Sequence, residues 1–161
     1  MIVENKTTAT IYTDGSCNTE FLAGAWVAIV LTNNEKKQIS GLELNTTHNR
    51  MELTAVIKAI EYIKDHYNQI SFITICSDSQ YVIGLPARKE RIMSSGFTSK
   101  KGKALPNDDL VKKLLALFDL YTIECVKIKA HQKKQGANAY NIEVDILSRK
   151  LVRATINKKF I

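Results

Sequence analysis

No apolar run in this 161-residue chain approaches the ~20 residues that a membrane-spanning helix needs. Met1–Lys6 likewise holds no apolar stretch of the kind found in a secretory leader. Both absences make the cytoplasm the expected compartment and argue against a membrane partner. Cysteine is scarce: Cys17, Cys76 and Cys125 form no Cys-x-x-Cys pair and leave an odd count. That excludes a disulfide framework and a cysteine-built zinc site, and the three are expected to be reduced and mostly buried. Internal repeats, linkers and low-complexity segments are missing too, so residues 1–161 are expected to form one domain. A domain of that length buries about two-thirds of its unfolded surface. No aromatic-rich strand of the RNA-stacking type is present, which argues against a general RNA-binding module.

What is there is an ordinary globular composition, 45% hydrophobic and 24% charged, with a net charge of +7 that suits a polyanionic partner. Ala9-Thr10-Ile11-Tyr12-Thr13 has strand composition and runs into Asp14-Gly15-Ser16. A strand meeting Asp-Gly ordinarily turns, the glycine accepting a positive φ, and Cys17–Ala23 accordingly reads as a turn. Ile70–Cys76 is a later strand that also runs into a carboxylate, Asp78. Strand ends are where ligands sit in α/β sheets, so two such aspartates point to Asp14 as a working group.

Between them, Gly24–Leu31 and Lys37–Leu44 read as two further strands joined by a turn at Asn33–Lys36. Leu53, Val56, Ile57, Ile60 and Ile63 recur at helical spacing over Asn49–His66, with Asn49 and Glu52 placed as a capping box. A short helix is expected over Ser79–Leu85, ended by Pro86. Ala87–Pro106 carries Arg88, Lys89, Arg91, Lys100, Lys101 and Lys103 against the single acid Glu90. It is either a solvated loop or a phosphate-gripping protrusion. Asn107-Asp108-Asp109 caps a helix striped with Leu110, Val111, Leu114, Leu115, Leu117 and Phe118. Thr122–Lys129 is the fifth strand, Ala130–Asn141 a polar loop, and a last helix starts near Ile142. The order βββαβααβα describes a mixed sheet with helices on its faces.

Four acids occupy notable places: Asp14, Glu52, Asp78 and Asp145. Singly, each has a structural explanation, Glu52 as a capping partner and Asp145 as a charge favoured near a helix N-terminus. Together at one sheet edge they would repel, and the usual resolutions are protonation or a hard cation. Oxygen-only ligands point to Mg²⁺ or Mn²⁺. Two such ions suit an in-line phosphoryl displacement.

Tyr12-Thr13-Asp14-Gly15-Ser16-Cys17, Thr46–Leu53, Ser77–Val82, Lys129-Ala130-His131 and Asn141–Asp145 resemble, in order and spacing, the motifs of type 1 ribonuclease H. The resemblance runs from about Thr8 to Arg153. It implies a ribonuclease H-like fold: an α/β domain with a five-stranded mixed sheet of order 3-2-1-4-5, flanked by helices. It implies hydrolysis of the RNA strand of RNA–DNA hybrids, leaving 3′-hydroxyl and 5′-phosphate ends. Asp14, Glu52, Asp78 and Asp145 match the metal-binding carboxylates, holding two Mg²⁺ ions (Mn²⁺ substituting), with Asp14 bridging both. His131 matches a loop histidine that aids protonation or product release. Thr47 matches a contact to the DNA-strand phosphates, while Cys17, Asn49 and Gln80 match residues near the minor groove. Asn18 stands in for a turn asparagine. Arg88, Lys89, Lys100, Lys101 and Lys103 fall in the family's basic protrusion, about 87–106, whose Gly-Trp pair is here Gly96-Phe97.

The chain departs from the family at Glu20, in a turn usually built with glycine, proline and asparagine, and at His48, where asparagine is usual. The protrusion has no tryptophan, and the His131–Asp145 segment is longer than in the common bacterial form. Rival identities are another nuclease or transferase of the superfamily, which seldom carries both the Asn49–Glu52 and Asp78–Gln80 motifs, and an inactive hybrid-binding module, which usually loses an acid. A freestanding monomer is expected.

Overall fold

The structure is a computed structural model that describes residues 7–33, 35–129 and 138–160. Three strands open the chain, β1 (Thr8–Asn18), β2 (Ala23–Leu31) and β3 (Lys36–Glu43), paired antiparallel in sequence. Helix α1 (His48–His66) then crosses over to β4 (Phe72–Ser77), which returns parallel to β1, as a parallel pair requires. Two short helices, α2 (Gln80–Ile83) and α3 (Leu85–Ser94), and the longer α4 (Asp108–Phe118) lead to β5 (Thr122–Lys127), parallel to β4. Helix α5 (Asn138–Lys159) closes the described chain. The five-stranded sheet has the order β3-β2-β1-β4-β5 that the resemblance implied.

Strand alternation divides the core. Ala9, Ile11, Ala28 and Val30 join the larger cluster with Leu53, Val56, Ile60 and Ile63 of α1 and Val111, Leu114 and Leu115 of α4. Tyr12, Val27, Ile29 and Cys76 face the other way, onto Val144, Leu147 and Leu151 of α5. Helices α1 and α4 therefore cover one face of the sheet and α5 the other.

Several local expectations are corrected. β1 does not turn at Asp14-Gly15. Its antiparallel partner β2 is long enough to carry the ladder on, pairing Asp14 with Val27, Gly15 with Trp26 and Asn18 with Ala23. The turn comes at Thr19–Leu22, where the Asn18 side-chain oxygen accepts from the backbone N–H groups of Glu20 and Phe21 at 3.0 and 2.9 Å. Gly15 serves another purpose: a Cβ there would stand 2.4 Å from the Glu52 nitrogen and 2.5 Å from the Met51 carbonyl carbon. Its missing side chain is what lets α1 lie against β1.

The Asn49–Glu52 capping box does not form. Thr47 caps α1, its hydroxyl accepting from the Arg50 N–H at 3.3 Å, while Glu52 is buried. Pro86 ends no helix; it sits in the first turn of α3, where a missing N–H costs nothing. Asn107 precedes α4 in a left-handed conformation and makes no side-chain cap, and α5 begins at Asn138 rather than near Ile142. The three cysteines are free, Cys76 buried and the other two half-buried. Among the described residues no helix is long and apolar enough to cross a membrane.

The close approach at Gly15 generates a direct expectation. Gly15→Ala should destabilise the fold by about 1–3 kcal/mol or more, because backbone atoms of α1 must move to admit the methyl group. Thermal or urea melts measure this, and a variant as stable as the parent would contradict it.

Candidate active site

Tyr12 and Cys76 are the last partners in the parallel ladder of β1 and β4. Asp14 and Asp78 each lie two residues further on, so the same level of the sheet carries both. Here β1 keeps β2 on one side while the chain has switched to β4 on the other, the kind of crevice in which α/β sheets bind ligands. Glu52 enters from the second turn of α1, held close by the contact at Gly15. Ligand oxygens of Asp14, Glu52 and Asp78 all lie within 4.8 Å of one another. Asp145, from α5, lines the same cavity of about 210 Å³, together with Gly15, Ser16, His48 and Arg149.

Burial makes this crowding expensive. Asp14 is 5% and Glu52 2% exposed. Burial first, then the charges of Glu52, Asp78 and Asp145, push the Asp14 carboxyl up to about 9. Burial also raises Glu52, while a contact with His48, 3.2 Å from its Oε1, pulls the other way. That same hydrogen bond raises the His48 imidazole. The other Glu52 oxygen, Oε2, is buried with no hydrogen-bond partner. Asp145 is held bidentately by Arg149 one helical turn on, at 3.0 and 2.9 Å. The Ser148 hydroxyl, fully buried, lies 3.2 Å from Asp14 Oδ2.

An all-oxygen donor set with an orphaned buried oxygen and crowded like charge fits a hard divalent cation. Asp14, Glu52 and Asp78 are placed to hold it, with Asp145 at the rim of the same cavity. His131 lies outside the described residues.

The expected substrate contacts take varied positions. Cys17, next to last in β1, is half-buried, its thiol 3.5 Å from the Thr46 carbonyl and raised by burial. Asn18 is occupied in the turn, and Thr47 by its cap. Asn49 is exposed on the first turn of α1, and Gln80 accepts from Lys127 at 3.1 Å. Arg88 is committed to the fold: it donates to the carbonyls of Tyr81 and Gly84 at 2.6 and 3.2 Å and lies over the Tyr81 ring. Lys89 pairs with Asp119. Lys100, Lys101 and Lys103 are exposed on a loop closed by a bridge between Thr98 and Ala104, and they form no ion pair among the described residues.

Three neighbours of the carboxylates were not singled out as site residues from the sequence: His48, Ser148 and Arg149. Their signal was helical spacing, His48 four residues before Glu52 and Ser148-Arg149 three and four after Asp145. Arg50 grips Asp109 through two bonds of 3.0 and 2.9 Å, tying α1 to α4 and holding the Asp109 carboxyl down to about 2.

The ribonuclease H family, described as RNase H, matches residues 6–153. Ribonuclease H of Prosthecochloris aestuarii is 34% identical over 145 residues, covering 89% of this chain and 94% of that protein. Ribonuclease H of a Wolbachia from Drosophila simulans is 36% identical over 149 residues, covering 92% and 97%. Among solved structures, LC9-RNase H1, a type 1 RNase H with the type 2 active-site motif, superposes with a TM-score of 0.76 at 21% identity, over 91% of this chain and 72% of that one. A foamy viral protease-reverse transcriptase in complex with dsDNA gives 0.73 at 21% identity, over 94% and 98%. A mixed α/β domain with an acidic crevice at its sheet's switch point is the class that fold and site define. The chain belongs to the ribonuclease H family, and it is a ribonuclease H enzyme.

The raised Asp14 carboxyl fixes the sign of a pH effect. Between its ordinary 3.8 and about 9 the folded state binds a proton that the unfolded chain does not. Stability of the metal-free protein therefore falls as pH rises through that window, with a slope of at most about 1.4 kcal/mol per pH unit from this group. In EDTA, Asp14→Asn should gain on the parent as pH rises, and a pH-independent difference between the two would contradict the assignment.

Proposed function

We propose that this protein hydrolyses the RNA strand of RNA–DNA hybrids internally, leaving 3′-hydroxyl and 5′-phosphate ends, at Asp14, Glu52, Asp78 and Asp145. The observation that carries this reading is the convergence of three carboxylates within 4.8 Å in a chain of the ribonuclease H family. The four acids would hold two Mg²⁺ ions, with Mn²⁺ able to substitute. When bound, the ions supply activation of a water and charge that stabilises the leaving oxygen of an in-line displacement.

The chain's own residues do the rest. Asp14, from the sheet, would contact both ions. Glu52 and Asp78 close it from α1 and from the end of β4, and Asp145 from α5. His131 would assist protonation of the leaving oxygen or product release. Cys17, Asn18, Thr47, Asn49 and Gln80 lie within a few residues of the acids and so would line the strands flanking the cut. Such contacts would read 2′-hydroxyls and minor-groove width rather than base sequence. Lys100, Lys101 and Lys103 would grip phosphate further along the duplex, Arg88 and Lys89 supporting that segment as well as adding charge. A monomer acting in the cytoplasm through one domain, with its core at about 8–153, completes the proposal.

The test uses one labelled RNA, paired with DNA, paired with RNA, or single-stranded, with Mg²⁺ or EDTA. Cutting should be confined to the RNA of the hybrid and stopped by EDTA. Asp14→Asn should lose more than roughly the 100-fold that an outer-sphere substitution can cost, while still binding hybrid. Binding without cutting in either Mg²⁺ or Mn²⁺ would instead make the protein an inactive hybrid-binding module.

A further inference from the structure

Ser148 is a polar residue where packing alone asks for none. It is fully buried on the face of α5 that meets the sheet, in a stretch whose inward neighbours are Val144, Leu147, Leu151 and Val152. Alanine is the better helix former and would fill nearly the same space. A buried hydroxyl must instead be satisfied, and this one has two acceptors in reach. One is the Asp145 carbonyl on its own helix at 3.1 Å, a common local partner for serine. The other is Asp14 Oδ2, across the interface between α5 and β1 at 3.2 Å.

The second contact gives the serine its importance. Asp14 projects from the middle of a strand whose backbone is fixed by the ladder to β2. What the ladder does not fix is the rotation of the carboxylate. A donor on a rigid helix does so, at a bond length and direction set by the packing of α5. The next residue, Arg149, performs the equivalent service for Asp145 through two bonds. Successive residues of one helical turn thus reach two different acids of the cluster.

We infer that Ser148 is a positioning residue for the cation site, orienting Asp14 before a metal ion arrives. The inference rests on the proposal that the acids bind divalent cations. Groups that orient metal ligands from behind are commonly worth 10–100-fold in affinity, roughly the scale expected here.

The experiment is isothermal titration of the full chain with Mg²⁺ and with Mn²⁺, joined to melts in EDTA and in Mg²⁺. Ser148→Ala should keep the metal-free Tm of the parent or exceed it, weaken both cations by about 10-fold or more, and show a smaller Mg²⁺-induced rise in Tm. On hybrid its kcat should fall at low Mg²⁺ and recover at saturating Mg²⁺, with KM for hybrid unchanged. Ser148→Cys, close in size with a weaker donor, should fall between. Parent-like affinity for both ions in Ser148→Ala would overturn the inference while leaving the metal site standing. A fall in metal-free Tm and in affinity that is equal in the Ala and Cys variants would make Ser148 a packing residue, and would overturn it too. A parent protein that takes up no cation would remove the metal site and this inference with it.

Discussion

Carboxylates repel, and the centre of this protein is built around that repulsion. Asp14, Glu52 and Asp78 are brought within 4.8 Å, with the first two almost wholly removed from water. His48 touches Glu52 from the solvent side, and Arg149 neutralises Asp145, while Asp14 meets Glu52 and the hydroxyl of Ser148. A folded chain can tolerate this in two ways, by holding protons or by holding a cation. The rest of the architecture keeps that choice in force. The β1–β4 switch sets the two aspartates level, the bare Gly15 lets α1 deliver Glu52, and α5 closes the far side.

The surroundings divide labour. Arg50, Arg88 and Lys89 have their charge engaged by Asp109, by backbone carbonyls and by Asp119, so they hold α1, α3 and α4 together. Lys100, Lys101 and Lys103 make no such pair among the described residues and lie on an exposed loop, carrying the positive field that a polyanion would meet. Sequence composition places Arg88, Lys89 and the three lysines in one basic run. Only the fold separates cations that knit the structure from cations that face outward.

The same distinction explains which features were legible in the sequence. The strands, α1 and α4 announce themselves by period, and the acids by their motif spacing. Gly15 was read as a turn residue because a strand followed by Asp-Gly usually turns. Here the length of β2 decides otherwise, and the glycine answers to a helix packed 2.4 Å from its absent Cβ. Glu52 was weighed as a capping residue because local spacing permits it. Its burial against Asp14 is a tertiary fact with no local signature. Pro86 was read as a stop, although one residue's shift in the helix boundary makes it a start. Ser148 offers only its spacing, one helical turn after Asp145, and a lone serine in a helix gains meaning once the strand opposite it is known.

The central claim is that Asp14 exchanges a proton for a metal ion, and the most direct measurement counts protons released on Mg²⁺ binding. Titration calorimetry near neutral pH in buffers of different ionisation heat yields that number. With burial and the neighbouring carboxylates raising Asp14 to about 9, and burial raising Glu52 as well, Mg²⁺ should displace about one proton or more per chain. Asp14→Asn should lower that release by about one proton. Saturable Mg²⁺ binding that liberates no proton would contradict the account.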